Sequence, residues 1–103
     1  MSNWSRYIKD FVSYLKIEKG LSENSILAYL NDVKKLEDFA SSLSIDPKGI
    51  TYQHLQQFVA ELYDLGLSAR SQSRIISGIK QFFQFLLLED EIAVDPTALL
   101  ETP

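Results

Sequence analysis

Four stretches of this chain carry apolar residues at steps of three and four, the spacing that lines side chains along one stripe of an α-helix. The first comprises Trp4, Tyr7, Ile8, Phe11, Val12 and Leu15, with Tyr14 on its flank, and predicts a helix over about residues 3–18. Ser2 or Asn3 caps its start, Lys16 and Lys19 suit the negative end of its dipole, and Gly20 closes it in the left-handed conformation. Ser22 then offers a side-chain oxygen to the free N–H groups of a second helix. The stripe of that helix, Ile26, Tyr29, Leu30, Val33, Leu36, Ala40 and Leu43, runs to about residue 43, and Asp46, Pro47 and Gly49 break it. Thr51 caps a third helix with the stripe Leu55, Phe58, Val59 and Leu62, which ends at Gly66. Ser68 caps a fourth, striped by Ile75, Ile76, Ile79, Phe82, Phe83, Leu86 and Leu87. The turn between the third and fourth is short, which favours adjacent packing. Asp95 before Pro96 reads as a cap followed by a first-turn proline, and predicts a last short helix over 97–101. With no alternating strand pattern and no repeat, the expected fold class is an all-α bundle of four to five helices.

A chain of 103 residues makes one domain, and 46% apolar content suits a packed globule. The absence of cysteine removes disulfides, thiolate nucleophiles and cysteine zinc sites from consideration, and allows an intracellular setting. Apolar runs such as Phe85 to Leu88 fall far short of the roughly 18 residues of a membrane span. No signal-peptide pattern opens the sequence. The net charge of −4 argues against nucleic-acid binding driven by bulk charge, but leaves room for a local basic face.

An enzyme site needs convergent titratable groups, and few are available. His54, the only histidine, falls in the first turn of a helix and reads as a solvated or edge residue rather than a catalytic group or metal ligand. Glu89, Asp90, Glu91 and Asp95 read as a solvated acidic turn. No glycine-rich phosphate loop, nucleophile elbow or metal-ligand motif occurs, so neither metal nor cofactor is expected.

The fourth helix is more informative. A wheel at about 100° per residue puts Arg70, Ser73, Arg74, Ser77, Lys80, Gln81 and Gln84 on one face, opposite the core stripe. Residues 66–88 hold three cations and no acid in an otherwise acidic chain, so positive charge is segregated onto one element. Short hydroxyls between arginines let a helix approach a phosphate backbone closely, and arginine and glutamine also pair with base edges in a major groove. An ordinary solvated helix face is the competing interpretation. On the second helix Asn24, Ala28, Asn31, Lys34 and Lys35 point away from the stripe, near an N-terminus suited to phosphate, while Glu23 and Asp32 oppose that use. Tyr29 is expected in the core. Phe85 and Leu88 fall on the polar side of the fourth helix and require a cover, either the returning segment through Ile92, Val94, Leu99 and Leu100 or a partner protein.

In order and spacing, Phe11 to Leu15, then EKGLSENSILAYLNDVKKLEDF (Glu18 to Phe39), SARSQSRIISGIKQFFQFL (Ser68 to Leu86) and DPTALLETP (Asp95 to Pro103) together resemble the N-terminal core-binding, SAM-like domain of Xer-type tyrosine recombinases and phage integrases. The resemblance covers nearly the whole chain. It implies a helical domain forming half of a C-shaped clamp around a recombination site, with the second and fourth helices toward the DNA major groove. In that family a separate C-terminal domain holds the tyrosine nucleophile and its activating arginines and histidines. On this basis residues 1–103 are the core-binding domain alone, ending at Glu101, Thr102 and Pro103 where the linker to the catalytic half begins, and no catalytic residue is expected among them. Tyr7, Tyr14, Tyr29, Tyr52 and Tyr63 lie inside helical patterns and are not the nucleophile.

Carried over residue by residue, the implied DNA contacts are Ser22, Asn24 and Ser25 on the second helix, with Arg70, Ser71, Arg74, Ser77, Lys80 and Gln81 on the fourth. Basic residues common in the family just after the Tyr29 position are replaced here by Leu30 and Asn31. Few cations and an acidic balance imply weak binding by the isolated domain. The implied partners are double-stranded DNA and, in the longer parent, other recombinase protomers in a synaptic tetramer; the chain alone is expected to be monomeric and cytoplasmic. A helical protein-interaction module without nucleic-acid binding is the alternative.

Overall fold

The computed structural model describes residues 3–101. Ser2, one of the two expected caps of the first helix, and Thr102 and Pro103, at the expected linker, lie outside the described residues. Four α-helices follow one another: α1 (Trp4–Ile17), α2 (Glu23–Ser42), α3 (Tyr52–Asp64) and α4 (Ala69–Leu88), with a single 3₁₀ turn at Pro47–Gly49 between α2 and α3. No strand occurs among the described residues.

Local chemistry sets most of the boundaries. Ser22, Thr51 and Ser68 each accept a hydrogen bond from the backbone N–H three residues on, the bond that satisfies an otherwise orphan donor of the first turn. At α3 the cap is reciprocal, because Nδ1 of His54 accepts from the Thr51 N–H at 3.0 Å. The lone histidine is thus a capping residue. Asn3 stands at the N-cap of α1 without a side-chain cap bond. Gly20 takes φ +61°, the left-handed geometry expected of it, as the chain reverses after α1.

The apolar stripes converge on one core, except for Leu43 and Leu87, which stand at the helix ends and are exposed. Trp4 of α1 stacks on Phe82 of α4 with centroids 5.9 Å apart, and its indole N–H donates to the Ile45 carbonyl at 2.8 Å. Phe11 meets Phe82 edge-on at 5.4 Å and also touches Tyr29, which is half-buried against the core as expected. The most extensive helix–helix contact is between α2 and α4.

Two expectations about the C-terminal half are corrected. The segment over 97–101 does not form a helix. Asp95 Oδ1 accepts from both the backbone N–H and the hydroxyl of Thr97, and the chain continues in turns closed by Ala98 N–H to Asp95 O and Leu100 N–H to Thr97 O. Phe85, in turn, is covered by α1: its ring lies 5.6 Å from that of Phe11 and 4.9 Å from that of Tyr14, and the residue is buried. Of the four apolar residues expected to cover it, Leu100 is buried and Ile92 half-buried, whereas Val94 and Leu99 are exposed. Leu88 has no cover and is 63% exposed. A helix stripe wider than the strict three-and-four spacing faces two neighbours here, which is why Phe85 belongs to the core and Leu88, one turn nearer the helix end, does not.

Candidate nucleic-acid interface

The two helices singled out from sequence are packed against each other, and their outer surfaces form one shallow groove of about 290 Å³ lined by Ser25, Ala28, Tyr29, Asp32, Arg74, Ser77 and Gly78. Among the expected contact residues, Ser25, Arg74 and Ser77 are therefore brought together. Ser22 and Asn24 are exposed at the start of α2, and Arg70 and Ser71 are exposed in the first turn of α4. Lys80 and Gln81 lie farther along α4 and are half-buried, on the margin of the ridge rather than its crest.

The serines at the two helix starts serve the backbone first. Ser22 Oγ accepts from the Ser25 N–H at 3.3 Å and its hydroxyl pairs with that of Ser25 at 3.2 Å. Ser68 and Ser71 repeat the arrangement at α4, at 3.2 Å for both bonds. Each helix thus starts with an exposed serine cap that has backbone N–H groups and the positive end of the dipole beside it, the cap of α2 next to the groove and that of α4 toward the other end of α2, where Leu67 lies beside Lys35 and Asp38.

Cations on the ridge are of two kinds. Among the described residues neither Arg70 nor Lys80 lies within ion-pair distance of a carboxylate. Arg74 does: its Nη2 is 2.6 Å from Oδ1 of Asp32, a carboxylate only 1% exposed, while the arginine side chain remains 55% exposed. One of the three charges that sequence segregated onto α4 is thus neutralised from within the fold. Burial pushes the Asp32 carboxyl up to about 6, against the opposing pull of Arg74 and of Lys35, so the acid is mostly ionised at neutral pH and loses its charge in mild acid.

Asp32 fits because α4 offers bare backbone there. A Cβ built on Gly78 would lie 2.9 Å from both Cβ and Cγ of Asp32, and closer still to Oδ2. Sequence reasoning placed Asp32 among the surface charges of α2 and passed over Gly78. The signals were present: Asp32 stands three residues after Tyr29 and four before Leu36, on the stripe's own spacing, and an isolated glycine inside a helical pattern marks a close approach.

A second ionic cluster lies away from this groove. Tyr7, buried in α1, donates its hydroxyl to Glu91 Oε2 at 2.9 Å, and Lys48 Nζ meets the same oxygen at 3.3 Å. The expected acidic turn after α4 is in this respect a tether, which ties the chain after α4 to α1 and to the 3₁₀ turn. No helix among the described residues is long and apolar enough to cross a membrane.

Residues 8–90 match the N-terminal SAM-like domain of phage integrases. The tyrosine recombinase XerD of Staphylococcus epidermidis is 42% identical over 97 residues, which cover 93% of this chain and 33% of that protein. Its counterparts in Staphylococcus haemolyticus and Staphylococcus aureus are 43% and 41% identical over the same length. The chain spans about a third of the length of these curated relatives. No solved structure matches it. An all-helical fold, a family match over most of the chain and relatives at this identity agree: the chain belongs to the phage integrase N-terminal SAM-like domain family.

Proposed function

We propose that this domain binds duplex DNA through the joint surface of α2 and α4, as the core-binding half of a clamp that a site-specific tyrosine recombinase closes around its recombination site. One observation carries this reading: α4, whose stretch 66–88 holds three cations and no acid, packs its Arg74 and Ser77 surface beside Ser25 of α2 on a molecule of net charge −4. Arg70 and Lys80 supply phosphate neutralisation. Ser22, Asn24, Ser25, Ser71 and Ser77 bring short polar groups near the backbone, and Gln81 and Arg74 carry donors for base edges. Strand cleavage belongs to a catalytic domain outside residues 1–103, and the parent enzyme acts as several protomers on DNA.

Binding of a labelled mixed-sequence duplex, followed against salt, tests the reading. Each lost phosphate contact lowers the slope of log affinity on log salt by about one unit, so Arg70→Ala and Lys80→Ala are each expected to do so. Equal slopes in both variants and in the unaltered chain overturn it.

A protein-contact role has one observation in its favour. Between α1 and the C-terminal half of α4, Ile17 and Leu88 are exposed beside the buried Phe85, with Asp10, Glu18 and Glu89 around them. Amide shifts during DNA titration separate the two: movement confined to α2 and α4 supports the first, and stillness there supports a protein-interaction module.

A further inference from the structure

Arg74 is the ridge cation whose counter-charge comes from inside the fold. The Asp32 carboxylate is buried, seated on the bare backbone of Gly78, and bonded to one side of the guanidinium at 2.6 Å. The Arg74 side chain nevertheless remains 55% exposed. A guanidinium is a planar fork with several N–H donors, so fixing one edge on a carboxylate leaves the other edge aimed outward in a set orientation. A pair of opposite charges in contact brings little net charge to a phosphate lattice, however, and releases few counter-ions.

We propose that Asp32 is a positioning residue for DNA: it holds Arg74 on the α2/α4 ridge as a neutral pair, which meets the duplex as an oriented hydrogen-bond donor rather than as a free cation. This deepens, and depends on, the reading of that ridge as a duplex-binding surface. Attraction at a distance then falls to Arg70 and Lys80, which have no such partner among the described residues. Arg74 contributes direction in place of charge, and a side chain already ordered by Asp32 has less freedom to lose on binding. The domain thereby accepts a weaker grip on DNA in general for a fixed donor at the centre of the groove.

Replacing Asp32 by asparagine keeps the shape against Gly78 and removes the charge, and a site whose burial opposes ionisation tolerates the neutral amide. With the same mixed-sequence duplex, Asp32→Asn is expected to steepen the salt slope by about one unit, so that between about 50 and 200 mM salt the variant loses roughly fourfold more affinity than the unaltered chain. The double variant Asp32→Asn/Arg74→Gln is expected to return to the original slope, showing that the added charge is that of Arg74. An Asp32→Asn slope equal to that of the unaltered chain, with Arg70→Ala and Lys80→Ala still lowering theirs, overturns the proposal and leaves the DNA reading intact. If those two variants change nothing, both fall together. Should Asp32→Asn not fold, as judged by its melting curve, Arg74→Gln alone decides: an unchanged slope supports the neutral pair, and a loss of about one unit refutes it.

Discussion

Asp32 of α2 sits directly on the backbone of α4 at Gly78, where a Cβ would come within 2.9 Å of its Cβ and Cγ. Neither of those atoms is the free end of a flexible chain, so Gly78→Ala cannot be accommodated by a small rotation. Alanine gains about 1 kcal/mol over glycine in a helix interior. Overpacking costs about 1–3 kcal/mol, and shifting a buried carboxylate off its arginine costs more. A net loss of about 2 kcal/mol is expected in denaturant unfolding, and a Gly78→Ala chain as stable as the original contradicts the close crossing.

Stability should rise, not fall, on mild acidification. Asp32 titrates near 6 in the folded chain and near 3.8 when its surroundings are removed, so between those values the folded state holds a proton that the unfolded state does not. Stability therefore increases as pH drops through 6. Glu91 acts in the opposite sense: the Tyr7 hydroxyl, and then Lys48, hold its carboxyl below the ordinary value of 4.5, so its contribution is present above that pH and is lost as pH falls further. Unfolding free energy at pH 5 is expected to exceed that at pH 7 by about 1 kcal/mol, and Asp32→Asn to abolish the difference. A flat profile in the unaltered chain rules out a buried, partly desolvated Asp32.

Phe85 and Leu88 lie three residues apart on α4 and have opposite surroundings. Phe85→Ala removes a ring held by Phe11 and Tyr14 and is expected to cost about 3–5 kcal/mol. Leu88→Ala, at an exposed position, is expected to stay within about 0.5 kcal/mol of the original. Similar losses in thermal unfolding of the two variants would mean that Leu88 is covered.

Ser77 is exposed at the wall of the α2/α4 groove. A carboxylate there faces any phosphate brought into the groove, so Ser77→Glu is expected to weaken duplex binding by about tenfold or more while leaving the melting temperature nearly unchanged. Undiminished binding places the duplex elsewhere.

How far the sequence could be read differs between the elements. The caps at Ser22, Thr51 and Ser68 and the turn at Gly20 were legible because each acts within a few residues of backbone. The last turns were misread because the Asp95 carboxylate does accept from the Thr97 N–H, as a cap would, while the N–H groups of Ala98 and Leu100 bond three residues back and close isolated turns instead of a helix. Arg70, Arg74 and Lys80 were legible as a segregated set, since charge along one helix needs no knowledge of its neighbours.

What composition and spacing determined unaided was an all-α chain, its helix starts, its apolar stripes and the cationic ridge of α4, all of which follow from hydrogen bonding and periodicity inside single segments. Which charges on that ridge are free was decided only when α2 and α4 crossed. The approach at Gly78 buries Asp32 against Arg74 across 42 residues of sequence, and a pairing of that range depends on the packing angle of two helices rather than on either helix alone.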